Sequence, residues 1–186
     1  MVESPEDSRL IELGRRWVVD NYPYNSTHLL KSLDWVDRIA PGASPAVRLA
    51  TLTHDMERAF GGPDALPILM NDREYERAHS VRSARIVGAW LLASGADAKL
   101  VQAVTELILL HEWGGSPDAN LVQAADSLSF LETNVDLMIG FVQGGRYSLE
   151  QVALKFDQMY ERIQVPLAKQ LARPMWQQAR ARLEER

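Results

Sequence analysis

The chain has 186 residues, a net charge of −5 and a pI near 5.4, with 46% apolar and 24% charged residues. That suits one compact domain with a sizeable core, and a weakly acidic chain lacks the electrostatic footprint of a nucleic-acid binder. It contains no cysteine, which excludes disulfides and thiolate metal sites, so nitrogen and oxygen must hold any metal.

The opening MVESPEDSRL is acidic and carries no apolar segment, unlike a secretory signal. No apolar run approaches the roughly 20 residues that cross a bilayer. With the lack of cysteine this sets the expectation of a cytoplasmic protein with no membrane partner. Apolar residues recur at helical spacing almost throughout and strand-like alternation is scarce, so the chain reads as all-α.

A first helix is predicted from Pro5 to about Val19, turning Leu10, Leu13 and Trp17 inward and broken at Pro23. A second runs from about Ser26 to Ile39, stopped by Pro41-Gly42. Ser44-Pro45 pairs a capping serine with proline at the first helical position, opening a third helix that carries His54 and ends before Gly61-Gly62-Pro63. The loop from Gly61 to Arg73 is longer than most connections and suits a lid or substrate contact. A fourth helix spans about Tyr75 to Ala93. A fifth begins at an Asp97 cap and carries the stripe Leu100, Val101, Val104, Leu107, Ile108 and His111. A sixth runs from Asp118 to about Thr133. Ser148 with Gln151 reads as a capping box opening a helix to about Ile163. Pro166 and Pro174 punctuate the last segment, whose tail QQARARLEER reads as a charged, solvated helix end.

Only four histidines occur, each within or beside a predicted helix: His28, His54, His79 and His111. Imidazoles and carboxylates are the ligands that suit zinc, iron and manganese. His54 and Asp55 are adjacent, and neighbours on a helix diverge by about 100°, so they can flank one ion or reach two neighbouring ions. Taken singly, a histidine in an amphipathic helix is more often a surface or hydrogen-bonded core residue. His111 in particular continues an apolar stripe.

The ordered set His28, His54-Asp55 and Asp126, together with the local stretch TLTHDMERAF, resembles the HD-domain superfamily, named for its metal-binding His-Asp pair. The resemblance covers about Tyr24 to Glu132. It implies a single HD-type helical bundle over residues 1–186, with a metal-binding core at about 24–132 and C-terminal helices at 148–186. Carried over, His28, His54, Asp55 and Asp126 match the ligands of a first metal. His79 and His111 match the extra histidines of the dinuclear subset, in which Asp55 bridges to a second metal about 3.5–4 Å away. The mononuclear alternative leaves His79 and His111 as proton donors or phosphate-binding groups. The stretches RIAPGASPAVRLA, HSVRSARIVGAWLLASGA and AADSLSFLE also resemble a less characterised helical family related to HD domains.

The resemblance implies one or two divalent ions (Fe, Mn, Zn, Co or Mg) and a small anionic substrate. The activity it implies is phosphohydrolysis of a phosphate ester or nucleotide by a metal-bound hydroxide, with Asp55 and Arg58 in the catalytic set. Arg58, three residues after Asp55, suits a phosphate, with pairing to Glu57 as its structural alternative. Lys31 and Arg82, each one turn after a ligand histidine, are candidates for the same anion pocket. Two rival readings share the ligands, a dinuclear iron oxygenase and a catalytically silent binding domain. Tyr22 and Tyr24 invite the oxygenase reading through resemblance to dinuclear iron oxygenases of HD type, but packing of a turn beside Pro23 is the preferred account of them. Asp34, Asp37, Asp136 and Asp157 read as surface acids. Oligomeric state is not legible in the sequence.

Overall fold

Side-chain caps start most of the helices. Ser4, Ser44, Asp72, Asp97, Ser116 and Ser148 each accept hydrogen bonds from first-turn amides, which satisfies donors the helix itself cannot pair. Proline follows at the first turn of α1, α3, α6 and α9. The computed structural model describes residues 4–66 and 68–185. Met1, Val2 and Arg186, at the ends of the expected domain, and Pro67 in the long loop lie outside the described residues, as does Glu3.

The helices are α1 (Pro5–Asn21), α2 (Ser26–Ile39), α3 (Pro45–Thr53), α4 (Arg73–Ala93), α5 (Ala98–Leu110), α6 (Pro117–Thr133), α7 (Val135–Gln143), α8 (Leu149–Glu161) and α9 (Pro166–Glu184), with a 3-10 turn at Met56–Ala59. Among the described residues there is no strand, so the domain is all-α. No described helix is long and apolar enough to cross a membrane.

Helix α3 lies at the centre, touching α1, α2, α5 and α6. Seven of its nine residues are buried, as expected of a helix that is apolar or small all round. Leu49 and Leu52 have no exposed surface, and truncating such a leucine to alanine costs about 2–5 kcal/mol. Gly14 lets α1 close on this centre: a β-carbon there would sit 3.0 Å from Leu52 and 3.4 Å from Trp90.

Two helices end where the sequence predicts continuation, by one device. α3 stops at Thr53 and α5 at Leu110, leaving His54 and His111 as their C-caps. Nδ1 of His54 donates to Thr51 O at 2.9 Å and Nδ1 of His111 to Ile108 O at 2.6 Å. Each ring thus engages the carbonyl that the next residue's amide would use to extend an α-helix. The His-Asp pair therefore sits in a turn, with the 3-10 turn after it.

The C-terminal segment also departs from expectation. Pro174 lies inside one continuous helix, α9. It occupies an exposed position, where water can satisfy the carbonyl its missing N–H leaves free. The charged tail is amphipathic rather than wholly solvated, since Ala179 and Leu183 are 1% exposed and α9 covers α6 and α8.

Candidate metal centre

Six ligand-type side chains from five parts of the fold meet in the interior: His28 from α2, His54 and Asp55 after α3, His79 from α4, His111 after α5, and Asp126 from α6. All are at most 5% exposed. They form two groups of three, His28 with His54 and Asp126, and Asp55 with His79 and His111, each of which could hold a metal ion. In the first, His28 Nε2 lies 3.1 Å and His54 Nε2 3.4 Å from Asp126 Oδ1. In the second, His79 Nε2 lies 3.1 Å from Asp55 Oδ1 and 3.3 Å from His111 Nε2. His54 Nε2 to Asp55 Oδ1, at 3.8 Å, joins the groups.

The ring tautomers follow from what surrounds them. A carbonyl can only accept, so Nδ1 of His54 and of His111 carries a proton. His79 Nδ1 is 3.1 Å from Glu57 Oε1, and Arg82 holds the other Glu57 oxygen at 2.7 Å. In each neutral ring the remaining lone pair is on Nε2, aimed into the cluster. Two such lone pairs 3.3 Å apart on His79 and His111 repel unless a proton or cation lies with them. His54 Nε2 and His28 Nδ1 are buried without a hydrogen-bond partner, a cost that coordination to an ion would remove at His54.

The electrostatics point the same way. Burial alone would push the His54 pKa down, but Asp126 and Asp55 outweigh it and raise it to about 9. Burial would likewise raise the carboxyls of Asp55 and Asp126, yet Arg58 holds the first and Arg162 the second well below the usual range. The site thus keeps carboxylates ionised and draws positive charge inward.

Glu112 and Arg162 were not singled out in the sequence. Glu112 Oε1 lies 3.4 Å from His111 Nε2 and 3.9 Å from His79 Nε2, and His111, Glu112 and Asp126 form a third possible ligand group. Arg162, just past α8, grips Glu112 and Asp126 with its two terminal nitrogens and reaches Ser127 Oγ with Nε at 2.8 Å. Gly114 makes this turn possible. Its φ is +70°, and a β-carbon there would collide with Asn120 and Gln164.

The cations predicted for an anion pocket fall elsewhere or are already paired. Lys31 is not among the side chains lining the site cavity; it points to Glu132 at 3.5 Å and Asp34 at 3.9 Å. Arg82 is also absent from that lining. It ties Glu57 to the carbonyls of Phe60 and Gly61, at 2.7 and 3.1 Å, and so fixes the start of the long loop. Arg58 does line the cavity, with NH1 2.5 Å from Asp55 Oδ2, while Glu57 is a distant second at 4.0 Å. Tyr22 and Tyr24 both line the cavity. Tyr22 is buried, and that burial, with Asp55 nearby, pushes its hydroxyl pKa up. Tyr24 donates to Arg58 O at 2.8 Å. Asp37, Asp136 and Asp157 pair with Arg48, Arg182 and Arg180, away from the cluster.

The cavity holds about 330 Å³, and residues of the long loop, α7 and α8 are among those that line it. No family model, no curated protein and no solved structure matches the chain, so what it can do is read from the site itself.

Proposed function

We propose that the protein is a metal-dependent phosphohydrolase of HD-domain type acting on a small phosphate ester. One observation carries the reading: six buried histidine and aspartate side chains turn their donor atoms toward one another, with the His79 and His111 Nε2 atoms 3.3 Å apart. That donor set fits divalent first-row ions. His28, His54 and Asp126 would hold one ion, and Asp55, His79 and His111 a second. Such ions, when bound, bring the pKa of coordinated water toward neutrality and polarise a phosphoryl oxygen.

The chain's own residues supply the rest. Glu57 and the carbonyls of Thr51 and Ile108 fix three imidazoles in the tautomer that presents Nε2, as outer partners of metal ligands do. Arg58 and Arg162 hold Asp55 and Asp126 as carboxylates. The reaction adds water to phosphorus and breaks the ester P–O bond, and the alcohol leaves with a proton. A cavity of about 330 Å³ is at the small end for ligand sites, which favours monoesters over polymers.

A dinuclear iron oxygenase remains the second reading. It is favoured by the cavity wall, which is largely apolar and brings two phenols, Tyr22 and Tyr75, beside Asp55 and Arg58. The deciding experiment combines metal analysis of protein purified without added metal, phosphate release from a panel of monoesters, and oxygen uptake by the iron-loaded form. Phosphate release that disappears in His111→Ala along with one of two ions is the expected result. Oxygen uptake without phosphate release replaces the first reading with the second, and protein that binds no metal overturns both.

A further inference from the structure

Four cations line the cavity: Arg58, Arg146, Lys155 and Arg162. Arg58 is committed to Asp55, and Arg162 to Glu112 and Asp126. The other two have no carboxylate within 4.0 Å among the described residues. Lys155, half-buried on α8, has only one weak hydrogen bond, to Gln158 Oε1 at 3.5 Å. Its charge faces the same space as the ligand cluster, where Glu112 acts on it most strongly, with Arg162 as its cationic neighbour and Glu76 and Asp126 further contributors. Arg146 lies over the rings of Phe141 and Tyr147, at 4.6 and 5.4 Å.

The wall beyond Lys155 is of opposite character. Ile68 and Leu69 from the long loop and Leu137 from α7 line the mouth at 44–49% exposure, with Met138 and Phe141 also contributing to the wall. Apolar side chains left open around a concave site, with one free cation at its inner end, match an anion that carries an apolar group.

We infer that Lys155 is the anion-binding residue of this cavity, and that its substrate class is a phosphate monoester of a compact apolar alcohol whose organic group rests against Ile68, Leu69, Leu137 and Phe141. The inference rests on the phosphohydrolase reading for the reaction, but not for the binding geometry. The ammonium of Lys155 meets the phosphoryl oxygens and gains the charge-assisted bonds it lacks in the free protein. Arg146 closes the rim by stacking on aromatic side chains, which leaves its charge near the mouth.

Calorimetric titration of the metal-loaded protein with phenylphosphonate and methylphosphonate, neither of which can be hydrolysed as an ester, tests this without turnover. Phenylphosphonate should bind about tenfold or more tightly than methylphosphonate, from burial of the ring alone. Lys155→Met should weaken both by about 30-fold, the loss expected for a charged hydrogen bond, with metal content unchanged. Lys155→Arg should restore most of the affinity and so controls for folding. Phe141→Ala should weaken only the phenyl compound. Wild-type affinity of Lys155→Met for both probes overturns the inference, as does an equal affinity for the two probes or a failure of both to bind. Lys155-dependent binding without release of phosphate from phenyl phosphate leaves the inference standing and sinks the hydrolase reading instead.

Discussion

The two candidate ligand triads are supported differently. In the triad of Asp55, His79 and His111, both rings have their outer nitrogen fixed, by Glu57 and by Ile108 O, and the carboxylate is held by Arg58. In the triad of His28, His54 and Asp126, His54 has Thr51 O but His28 Nδ1 has no partner. Support comes instead through the backbone, since Ser32 and Ser129 both donate to His28 O at 2.9 and 2.6 Å, and through Arg162 on Asp126. One triad is oriented ring by ring, and the other is positioned mainly by its helix and by a guanidinium from the C-terminal half. Orientation should therefore be lost one ligand at a time in the first case, and as a unit in the second.

The largest test removes what joins them. On the phosphohydrolase reading, Asp55→Ala should lose the ions of both triads and lower turnover by at least about a thousandfold, because bound ions would supply the attacking water. Metal analysis and turnover on folded protein check it, and normal turnover by metal-free Asp55→Ala protein would contradict the two-triad scheme. Next comes Arg162→Met, which leaves Glu112 and Asp126 buried without their cation. Breaking such a pair costs about 3–5 kcal/mol, so the metal-free protein should melt far lower, and added metal should recover part of the loss. Equal melting with and without Arg162 would show that the C-terminal half does not hold the first triad.

Glu57→Gln should act on the other triad alone. It keeps the size of the side chain but weakens the hold on His79, and loss of such an outer partner lowers metal affinity about 10- to 100-fold. Titration should show one weakened and one unchanged site, and two equally weakened sites would erase the distinction drawn above. The smallest effect is in the pH dependence. The metal-free pKa of His54 is raised to about 9 from an ordinary 6.5, so protonation stabilises the folded, metal-free protein fully below pH 6.5. That contribution is lost as pH rises through 9. Metal competes with the same proton, so affinity should rise over this window. Melting of metal-free protein at pH 6.5, 7.5 and 9 reads the first part, and a melting temperature that climbs with pH would contradict it.

Much of the architecture was legible because it is written locally. Ser44-Pro45, Asp97 and the Ser148–Gln151 box each specify a helix start within four residues. The six clustered side chains were legible as a candidate set because the chain has four histidines and they stand in a resembling order. Glu112 and Arg162 were not, since the bond from Arg162 to Asp126 spans 36 residues of sequence and no local pattern announces it. That Lys31 and Arg82 do not line the cavity was illegible for a related reason. Spacing of one turn puts a residue near a ligand's face of the helix, but the acceptors across from it, Glu132 for Lys31 and the Phe60 carbonyl for Arg82, decide where the charge goes. Pro174 punctuates the last segment in sequence because a missing N–H matters inside a protein, whereas in the fold that position faces solvent within α9.

The two histidine-capped helix ends carry one more implication. α3 and α5 both terminate at the site, so the negative ends of two backbone dipoles meet there. Each such end favours a nearby cation by about 0.3–1 kcal/mol at exposed positions, and by more where water is excluded. Before any ion enters, these helix ends add to the negative field of Asp55, Glu112 and Asp126, which Arg58, Arg162 and a protonated His54 offset in part. On the phosphohydrolase reading an incoming ion tips that balance, so metal should bind first and phosphate ester second, and ester bound at low metal concentration should be scarce.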